Sequence, residues 1–166
     1  GDDYVFASLG VDEIYGGNSV NGDLVDFSLL TGLIKGSGEN FNGISVNLGG
    51  GDGAVGARFS QIVSTLETTT SQVFSSIENI IGSTENDNIV GNSSKNTLRG
   101  GAGNDKIYGI AGANSLYGDS GNDTIFSGTG SDYIDGGADN NTVDYTNAHN
   151  SSNVRVNLSG SAQTLN

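Results

Sequence analysis

A strict nine-residue period in the second half of the chain limits the folds that are available to it. Branched aliphatic residues recur at this spacing without a gap at Ile89, Leu98, Ile107, Leu116, Ile125, Ile134 and Val143. Apart from Val90 after Ile89, their neighbours are polar or aromatic, and side chains on a β-strand alternate between its two faces. The period therefore predicts very short strands with one inward apolar residue each, separated by turns that fill the remaining six residues of each unit.

Glycine begins almost every unit of the period. It stands at Gly82, Gly91, Gly100, Gly109, Gly118 and Gly136, with Ser127 as the exception. Glycine reaches positive φ without a steric penalty, which suits tight turns. The chain contains 28 glycines and no proline, and only 34% of its 166 residues are hydrophobic. Such a chain cannot bury one large core, so we expect a repeat architecture that spreads a thin core along an axis.

The charge balance favours cations as partners. The chain has 19 acidic and 6 basic residues, for a net charge of -13. Nucleic acids and anionic membranes are disfavoured, because phosphate binding requires clustered Lys and Arg. Without Cys there is no thiolate metal site.

Apolar runs such as Leu29-Leu30 and Ile80-Ile81 are too short to span a bilayer, and no signal peptide is visible. The chain starts and stops within repeating units, so we expect an internal fragment of a longer protein.

One unit carries a motif that is specific for a known family. Residues 100–108 read GGAGNDKIY and match GGxGxDxUx at every specified position, and seven contiguous units keep this register between residues 82 and 144. The chain therefore resembles the RTX (repeats-in-toxin) nonapeptide family. The resemblance implies an all-β fold, a right-handed parallel β-roll (β-solenoid) in which two nonapeptides form one coil. It also implies Ca²⁺ between turns that stack on either edge of the roll.

The resemblance further implies which residues bind calcium. One turn would give the carbonyls of its first and third residues and its Asp, and the next stacked turn those of its second and fourth residues and its own Asp. The metal ligands expected on this basis are Gly82, Thr84, Asp87, Gly100, Gly101, Ala102, Gly103, Asp105, Gly118, Asp119, Ser120, Gly121, Asp123, Gly137, Asp139 and Asn141 on one edge, Gly109, Ala111, Asn114, Gly128, Gly130 and Asp132 on the other, and Asp3 and Asp12 near the start.

The sixth residue of each turn predicts that the two edges are unequal. One edge carries Asp87, Asp105, Asp123 and Asn141, and the other carries Asn96, Asn114 and Asp132. An amide lacks the charge that offsets the cost of dehydrating an ion. We therefore expect calcium between the turns of the first three aspartates and weaker binding between those of Asp123 and Asn141. The interval between Asn114 and Asp132 should be intermediate.

The interval between Asn96 and Asn114 is expected to hold no ion, and Lys95 in its turn also opposes one. For Asn96 and Asn114 we instead expect a ladder in which stacked amides bond each other and the neighbouring backbone. The alternative for the aspartates is a solvated turn, which Asp suits in any case.

The flanks suggest two blocks of repeats. Val5 and Ile14 are nine residues apart and follow Asp3 and Asp12 by two, whereas the next turn is two residues longer. The segments 25–48 and 143–158 share one pattern that ends in a longer alternating strand. Glu78 lies nine residues before Asp87 and could donate an oxygen to the first ion or stay solvated.

We accordingly divide the chain into four segments. Residues 1–56 end one roll block with a capping strand, 57–81 form a linker or cap, 82–144 form the main roll, and 145–166 form a trailing spacer and capping strand. Apolar residues between 57 and 74 partly fit a helical face, but the run Thr68-Thr69-Thr70 opposes a long helix, so a short helix or an irregular cap is expected there.

The function expected from these features is that of a calcium-binding structural module and not of an enzyme. His149 is the only histidine, and no base and nucleophile are arranged for catalysis. What the resemblance implies is type I secretion, folding on calcium outside the bacterial cell, and neighbouring RTX modules in a secreted or surface protein such as an adhesin. The alternatives are a polysaccharide- or ice-binding surface, or the C-terminal module of a secreted exoenzyme or toxin. The aromatic residues that flank the inward positions could stack on sugars or stabilise the surface of the roll, and they are Tyr108, Tyr117, Phe126 and Tyr133.

Overall fold

The repeat folds into short strands joined by tight turns. The computed structural model describes residues 2–6, 13–15, 23–29, 41–47, 57–63, 66–75, 77–146, 155–157 and 164–165. None of these residues is helical, so the described part of the chain has no helix that could cross a membrane. The strands are β1 (Tyr4–Phe6), β2 (Glu13–Tyr15), β3 (Asp23–Asp26), β4 (Phe41–Asn47), β5 (Ala57–Val63), β6 (Leu66–Ser75), β7 (Ile77–Ile81), β8 (Asn88–Val90), β9 (Thr97–Ala102), β10 (Lys106–Tyr108), β11 (Ser115–Ser120), β12 (Thr124–Phe126), β13 (Tyr133–Asp135), β14 (Thr142–Asp144), β15 (Arg155–Asn157) and β16 (Thr164–Leu165).

The strands build two sheets that the chain visits in turn. The first sheet has the order β1-β3-β7-β9-β11-β13-β15, and the second has the order β16-β14-β12-β10-β8-β4-β5-β6-β2. All neighbours are parallel except the pairs β4/β5 and β5/β6. One strand of each sheet therefore makes one coil. The all-β parallel roll predicted from the repeat is confirmed.

Strand register fixes the length of a coil at two nonapeptides. Ile107 pairs with Ile89 on one side and with Ile125 on the other, each 18 residues away. Leu116 pairs in the same way with Leu98 and Ile134 in the first sheet. Because consecutive turns lie on opposite edges, equivalent turns stack every 18 residues.

The core is a double column of aliphatic side chains between the sheets. The first sheet contributes Val25, Ile80, Leu98, Leu116 and Ile134, and the second contributes Val46, Ile89, Ile107, Ile125 and Val143, all with no exposed surface. Burial of one such side chain stabilises a fold by about 1.5 to 3 kcal/mol. Since each coil adds only one residue to each column, the core is as thin as the composition predicts.

The flanking strands extend this roll. Val46 of β4 pairs with Ile89, and Val156 of β15 pairs with Ile134, so both alternating segments lie in register with the repeats. Tyr4 pairs with Leu24, 20 residues away, which agrees with the turn that is two residues longer than the others.

The expected helix between residues 57 and 74 is wrong. This segment forms β5 and β6, an antiparallel hairpin that joins the second sheet between β4 and β2. The β-branched run at Thr68, Thr69 and Thr70 favours a strand. The edge of β4 also offers unpaired backbone groups that a strand can satisfy and a helix cannot.

We predict that shortening the buried column destabilises the calcium-loaded roll. Leu116→Ala should lower the free energy of unfolding by about 2 to 5 kcal/mol, because it removes buried methyl groups and leaves a cavity. Leu29→Ala removes the same atoms from a side chain that is 69% exposed, and should change the free energy by less than about 0.5 kcal/mol. Urea unfolding in saturating calcium measures both, and equal effects would contradict the buried column.

Candidate metal centre

The turns place the sixth residues of the units in two buried rows. Asp87, Asp105, Asp123 and Asn141 follow strands of the first sheet and stack on one edge of the roll. On the opposite edge, Asn96, Asn114 and Asp132 follow strands of the second sheet. All seven side chains are buried. The two edges predicted from the period are therefore present.

A hydrogen bond links each sixth residue to its equivalent in the next coil. The backbone N–H of Asp87 donates to Asp105 Oδ1 at 2.8 Å, that of Asp105 to Asp123 Oδ1 at 2.9 Å, and that of Asp123 to Asn141 Oδ1 at 2.8 Å. The other edge repeats the bond at 2.9 Å from Asn96 to Asn114 and from Asn114 to Asp132. One oxygen of each later side chain is therefore used as a rung between coils.

The backbone of the later turns is left-handed at the second and fourth positions. In the turn 100–105 these positions are Gly101 and Gly103, with φ of 106° and 111°. Asp119 and Asp139 adopt the same conformation without being glycine, at 71° and 63°, and a side chain disfavours it. The guanidinium of Arg99 forms a two-bonded ion pair with Asp119 and also lies over the ring of Tyr117, which holds that turn in place.

The turn 82–87 closes differently. None of its residues has positive φ, and its second residue, Ser83, directs its N–H at Asp87 Oδ2 at 2.6 Å. Asp87 Oδ1 accepts from the Ser83 hydroxyl at 2.8 Å and from the Ile44 N–H at 2.7 Å. Both oxygens of Asp87 are therefore satisfied by the protein. The following turn is similar, because Asn92 N–H donates to Asn96 Oδ1 at 2.9 Å.

The carbonyls of the first residues face the preceding coil. A Cβ atom added to Gly91 would lie 3.1 Å from the carbonyl oxygen of Gly109, and one added to Gly100 would lie 2.7 Å from that of Gly118. The oxygen of a turn's first residue thus enters the interval between its own turn and the one before it.

The carbonyls of the second and fourth residues face the following coil. Asp119 O accepts from the N–H of Ala138 at 2.7 Å. A Cβ atom on Gly121 would strike the carbonyl oxygen of Gly103. An interval is therefore faced by the first carbonyl of its later turn and by the second and fourth carbonyls of its earlier turn, which is the opposite of the order that the resemblance implies for these positions.

This reversal changes which carbonyls face each interval. The carbonyl of Gly100 faces the interval before Asp105. The residues expected at the interval before Asp132 were Gly109, Ala111, Gly128 and Gly130, whereas this interval is faced by the carbonyl of Ser127, with those of Ile110 and Gly112 opposite. Sequence reasoning missed them because the nine-residue spacing is the same whichever neighbour a carbonyl faces.

Three of the stacked aspartates keep one buried oxygen without a donor. Among the described residues, Oδ2 of Asp105, Asp123 and Asp132 has no hydrogen-bond partner, although each of these residues is at most 2% exposed. A Cβ atom on Gly100 would touch Asp105 Oδ2, and one on Gly118 would touch Asp123 Oδ2. Glycine at the first position therefore leaves space in front of the orphaned oxygen, and a buried carboxylate oxygen without a partner is costly.

The NH₂ groups of Asn114 and Asn141 donate to carbonyls of their own turns, whereas Nδ2 of Asn96 donates to the carbonyl of Glu78 in the preceding coil at 3.0 Å. Nδ2 of Asn114 donates to the carbonyls of Gly109 at 3.1 Å and Ala111 at 3.0 Å. Nδ2 of Asn141 donates to those of Gly136 at 2.7 Å and Ala138 at 2.8 Å. These are the first and third residues of the respective turns. The bonds to the neighbouring backbone that the amide-ladder alternative requires are therefore present at both residues.

Burial raises the pKa values of the stacked aspartates in the protein without metal. It raises the pKa of Asp105 to about 8 and that of Asp123 to about 7, and neighbouring carboxylates raise both further. It raises the pKa of Asp87 to about 6 and also raises the pKa of Asp132. A cation in the intervals would favour the ionised forms.

The donor set suits calcium. The described residues contain no cluster of three His, Cys, Asp or Glu side chains able to hold a metal, so an ion in these intervals would take most of its ligands from carbonyls. Calcium accepts six to eight hard oxygen ligands in flexible geometry, including main-chain carbonyls and carboxylates. Glycine-lined turns with one orphaned carboxylate oxygen meet that requirement.

The predicted site near the start of the chain is only partly visible. Asp3 N–H donates to Asp23 Oδ1 at 2.7 Å, and Asp23 N–H donates to Glu78 Oε2 at 2.9 Å. These bonds continue the rungs of the edge that carries Asn96, Asn114 and Asp132. Asp23 Oδ2 is buried and has no partner among the described residues. Asp12 lies outside the described residues, and so does the turn before Asp23.

The fold and the turns define a calcium-binding β-roll. The family model of the RTX calcium-binding nonapeptide repeat (4 copies) matches residues 1–21, 81–114 and 108–143, which is just over half of the chain. The chain belongs to the RTX repeat family, and calcium is its cofactor. No curated protein matches the chain.

We predict that acid stabilises the roll when calcium is absent. The folded-state pKa of Asp105, about 8, lies above the ordinary value of 3.8, so the folded chain holds a proton that the unfolded chain releases. The resulting penalty is absent at low pH, grows from about pH 4 and is complete above about pH 8. In excess chelator, the β signal in circular dichroism should therefore increase as the pH falls from 8 to 5.

Saturating calcium serves as the control, because bound ions need ionised carboxylates and the same acidification should then weaken the fold. A β signal in chelator that stays constant or decreases over this pH range would contradict the burial of these aspartates.

Proposed function

We propose that this chain is a calcium-dependent structural module of a secreted protein, which folds when it meets extracellular calcium. The observation that carries the proposal is the set of buried, unpartnered Oδ2 atoms of Asp105, Asp123 and Asp132. We assign one ion to the interval before each of these residues. Its ligands would be the aspartate, the first and third carbonyls of the same turn, and groups of the preceding stacked turn.

The charge of the chain supports dependence on calcium. With a net charge of -13 and carboxylates stacked one coil apart, the roll without metal must either repel itself or hold protons. The thin core adds little to oppose this, because each coil buries only one residue per column. Binding energy at such sites is folding energy.

The place of folding follows from calcium levels. Extracellular modules bind calcium at about 10⁻⁴ to 10⁻³ M, so sites of this kind would stay empty, and the chain unfolded, inside a bacterial cell. RTX repeat proteins are typically secreted. We propose type I export as an unfolded polypeptide, followed by folding at the cell surface or beyond it, with neighbouring RTX modules in the same chain.

A spacer in an adhesin fits this architecture better than catalysis does. Parallel coils stacked at about 4.8 Å each build length with few residues, and ions between coils stiffen the stack. His149, the only histidine in the sequence, lies outside the described residues. We propose that the segments 1–56, 57–81, 82–144 and 145–166 serve this role together.

We predict that calcium converts the chain from disordered to folded. At pH 8, excess chelator should leave a spectrum with little β signal and an expanded radius in small-angle scattering, and calcium in the range of about 0.1 to 1 mM should restore a compact β form. Magnesium is the control, because it demands a smaller octahedral shell and keeps its waters. A native β spectrum that persists in chelator at this pH would refute the proposed function.

A polysaccharide-binding surface is a second candidate, favoured by a groove on the second sheet. The groove has a volume of about 360 Å³ and is lined by Asn86, Asp87, Asn88, Asn104, Lys106 and Tyr108. The ring of Tyr108 stacks on that of Phe126 at 4.5 Å. Along its rim, the N–H of Asn104 donates to Asn86 Oδ1 at 2.6 Å and that of Asn122 to Asn104 Oδ1 at 2.8 Å. These bonds hold exposed amides in a regular row with their NH₂ groups available as donors.

We predict that a linear polysaccharide, if bound, is bound at this groove. On a glycan array in saturating calcium, Tyr108→Ala and Asn104→Ala should each reduce binding about tenfold, as expected for the loss of a contact that contributes 1 to 2 kcal/mol. Tyr117→Ala on the opposite sheet is the matched control, since it removes a half-buried tyrosine away from the groove. No binding by the wild type, or equal losses in all variants, would rule the groove out.

A further inference from the structure

We propose that Asn114 and Asn141 are amide clasps, which join two coils without an ion by placing a side-chain NH₂ group where calcium sits in the aspartate turns. The proposal rests on the proposed calcium function. It goes further because it assigns the metal content of each interval to one residue, the sixth residue of the later turn.

The clasp at Asn141 has three hydrogen bonds. Its Oδ1 accepts from the N–H of Asp123 in the preceding coil at 2.8 Å, and its Nδ2 donates to Gly136 O at 2.7 Å and Ala138 O at 2.8 Å. Asn114 repeats the pattern on the opposite edge with distances between 2.9 and 3.1 Å. Both side chains are at most 2% exposed.

The chemistry of the partners fixes the orientation of the amide. A backbone N–H can only donate, so it selects Oδ1, and the two carbonyls can only accept, so they select Nδ2. A flipped amide would place an oxygen against two oxygens and would leave the N–H unsatisfied. The same pattern occurs at both residues. Asn96, whose turn has no residue with positive φ, instead accepts from the N–H of Asn92 and donates to Glu78 O.

An aspartate at the sixth position of such a turn is left with one oxygen that has no hydrogen-bond donor. Asp123 uses Oδ1 as the rung to Asp105, as Asn141 does to Asp123, but it has an oxygen in place of the NH₂ group. That Oδ2 has no partner among the described residues. The first and third carbonyls of its turn, Gly118 and Ser120, have no side-chain donor corresponding to Nδ2. A cation completes such a turn, whereas a turn with asparagine is already complete.

The inference corrects the graded loading expected from the sequence. The interval between Asp123 and Asn141 was expected to bind calcium weakly, and the interval between Asn114 and Asp132 to be intermediate. With the reversed carbonyl order, the first is closed by the amide of Asn141, and the second is open because Asp132 belongs to its later turn. Each edge therefore combines an amide clasp with at least one calcium interval.

The test counts the calcium ions bound to the full chain, by native mass spectrometry and isothermal titration at saturating calcium. Asn141→Asp should bind one ion more than the wild type, because it converts a clasp into a calcium interval. Asn140→Asp is the matched control: it adds the same charge one residue earlier, on an exposed side chain that contacts no first or third carbonyl, and should leave the count unchanged.

The reverse change covers the case in which Asn141→Asp does not fold. Asp123→Asn should bind one ion fewer than the wild type and keep its β spectrum, at a calcium concentration no higher than the wild type requires, because the new amide replaces the ion. Asp123→Ala should also lose one ion, but without a clasp it should require several-fold more calcium to fold.

The outcomes separate the two proposals. A wild type that binds no calcium overturns the proposed function itself. A wild type that binds calcium, with no added ion in Asn141→Asp or with Asp123→Asn as defective in folding as Asp123→Ala, overturns the clasp and leaves the calcium function standing. An added ion in both Asn141→Asp and Asn140→Asp also overturns it, because charge alone would then explain the gain.

Discussion

The roll depends on one repeated contact, the hydrogen bond from the backbone of a sixth residue to the side chain of the sixth residue in the next coil. It ties together turns that are 18 residues apart and places a polar side chain in a site almost without solvent. Such a group is tolerated only when all of its polar atoms find partners. The rung satisfies one of the two polar side-chain atoms of a sixth residue. The other atom needs a second partner, and that partner differs between turns.

Three solutions to this requirement are present in one chain. At Asp87 the turn itself supplies an N–H and a hydroxyl, because Ser83 lacks the left-handed backbone of the later turns. At Asn141 the side chain brings its own donor to the turn carbonyls. At Asp105 neither happens: Oδ2 has no partner among the described residues, and burial together with the neighbouring carboxylates raises the pKa to about 8. Under the proposed function, the need for calcium is therefore set turn by turn.

The sequence predicts the periodic features of this fold well, because the nine-residue period directly determines which residues of neighbouring strands pair. The inward column from Ile89 to Val143, the two edges and the longer turn before Val25 all follow from counting residues. Counting cannot tell which neighbour a carbonyl faces, since that depends on the φ angles of residues such as Asp119, where no glycine marks the left-handed conformation. The β5–β6 hairpin was missed for another reason. Its apolar residues fit a helical face and a strand about equally, and pairing with β4 decides between them.

The β5–β6 hairpin also makes the two sheets unequal in their number of strands. It gives the second sheet nine strands against seven in the first, so that β1 lies one strand step from β3 while β2 is separated from β4 by two additional strands. At a strand spacing of about 4.8 Å, the second sheet is longer by about 10 Å at this point. The coil that contains β1 and β2 must accommodate this difference where it meets the coils that follow. In a longer stack of such coils, an inserted hairpin would mark one fixed position along the axis.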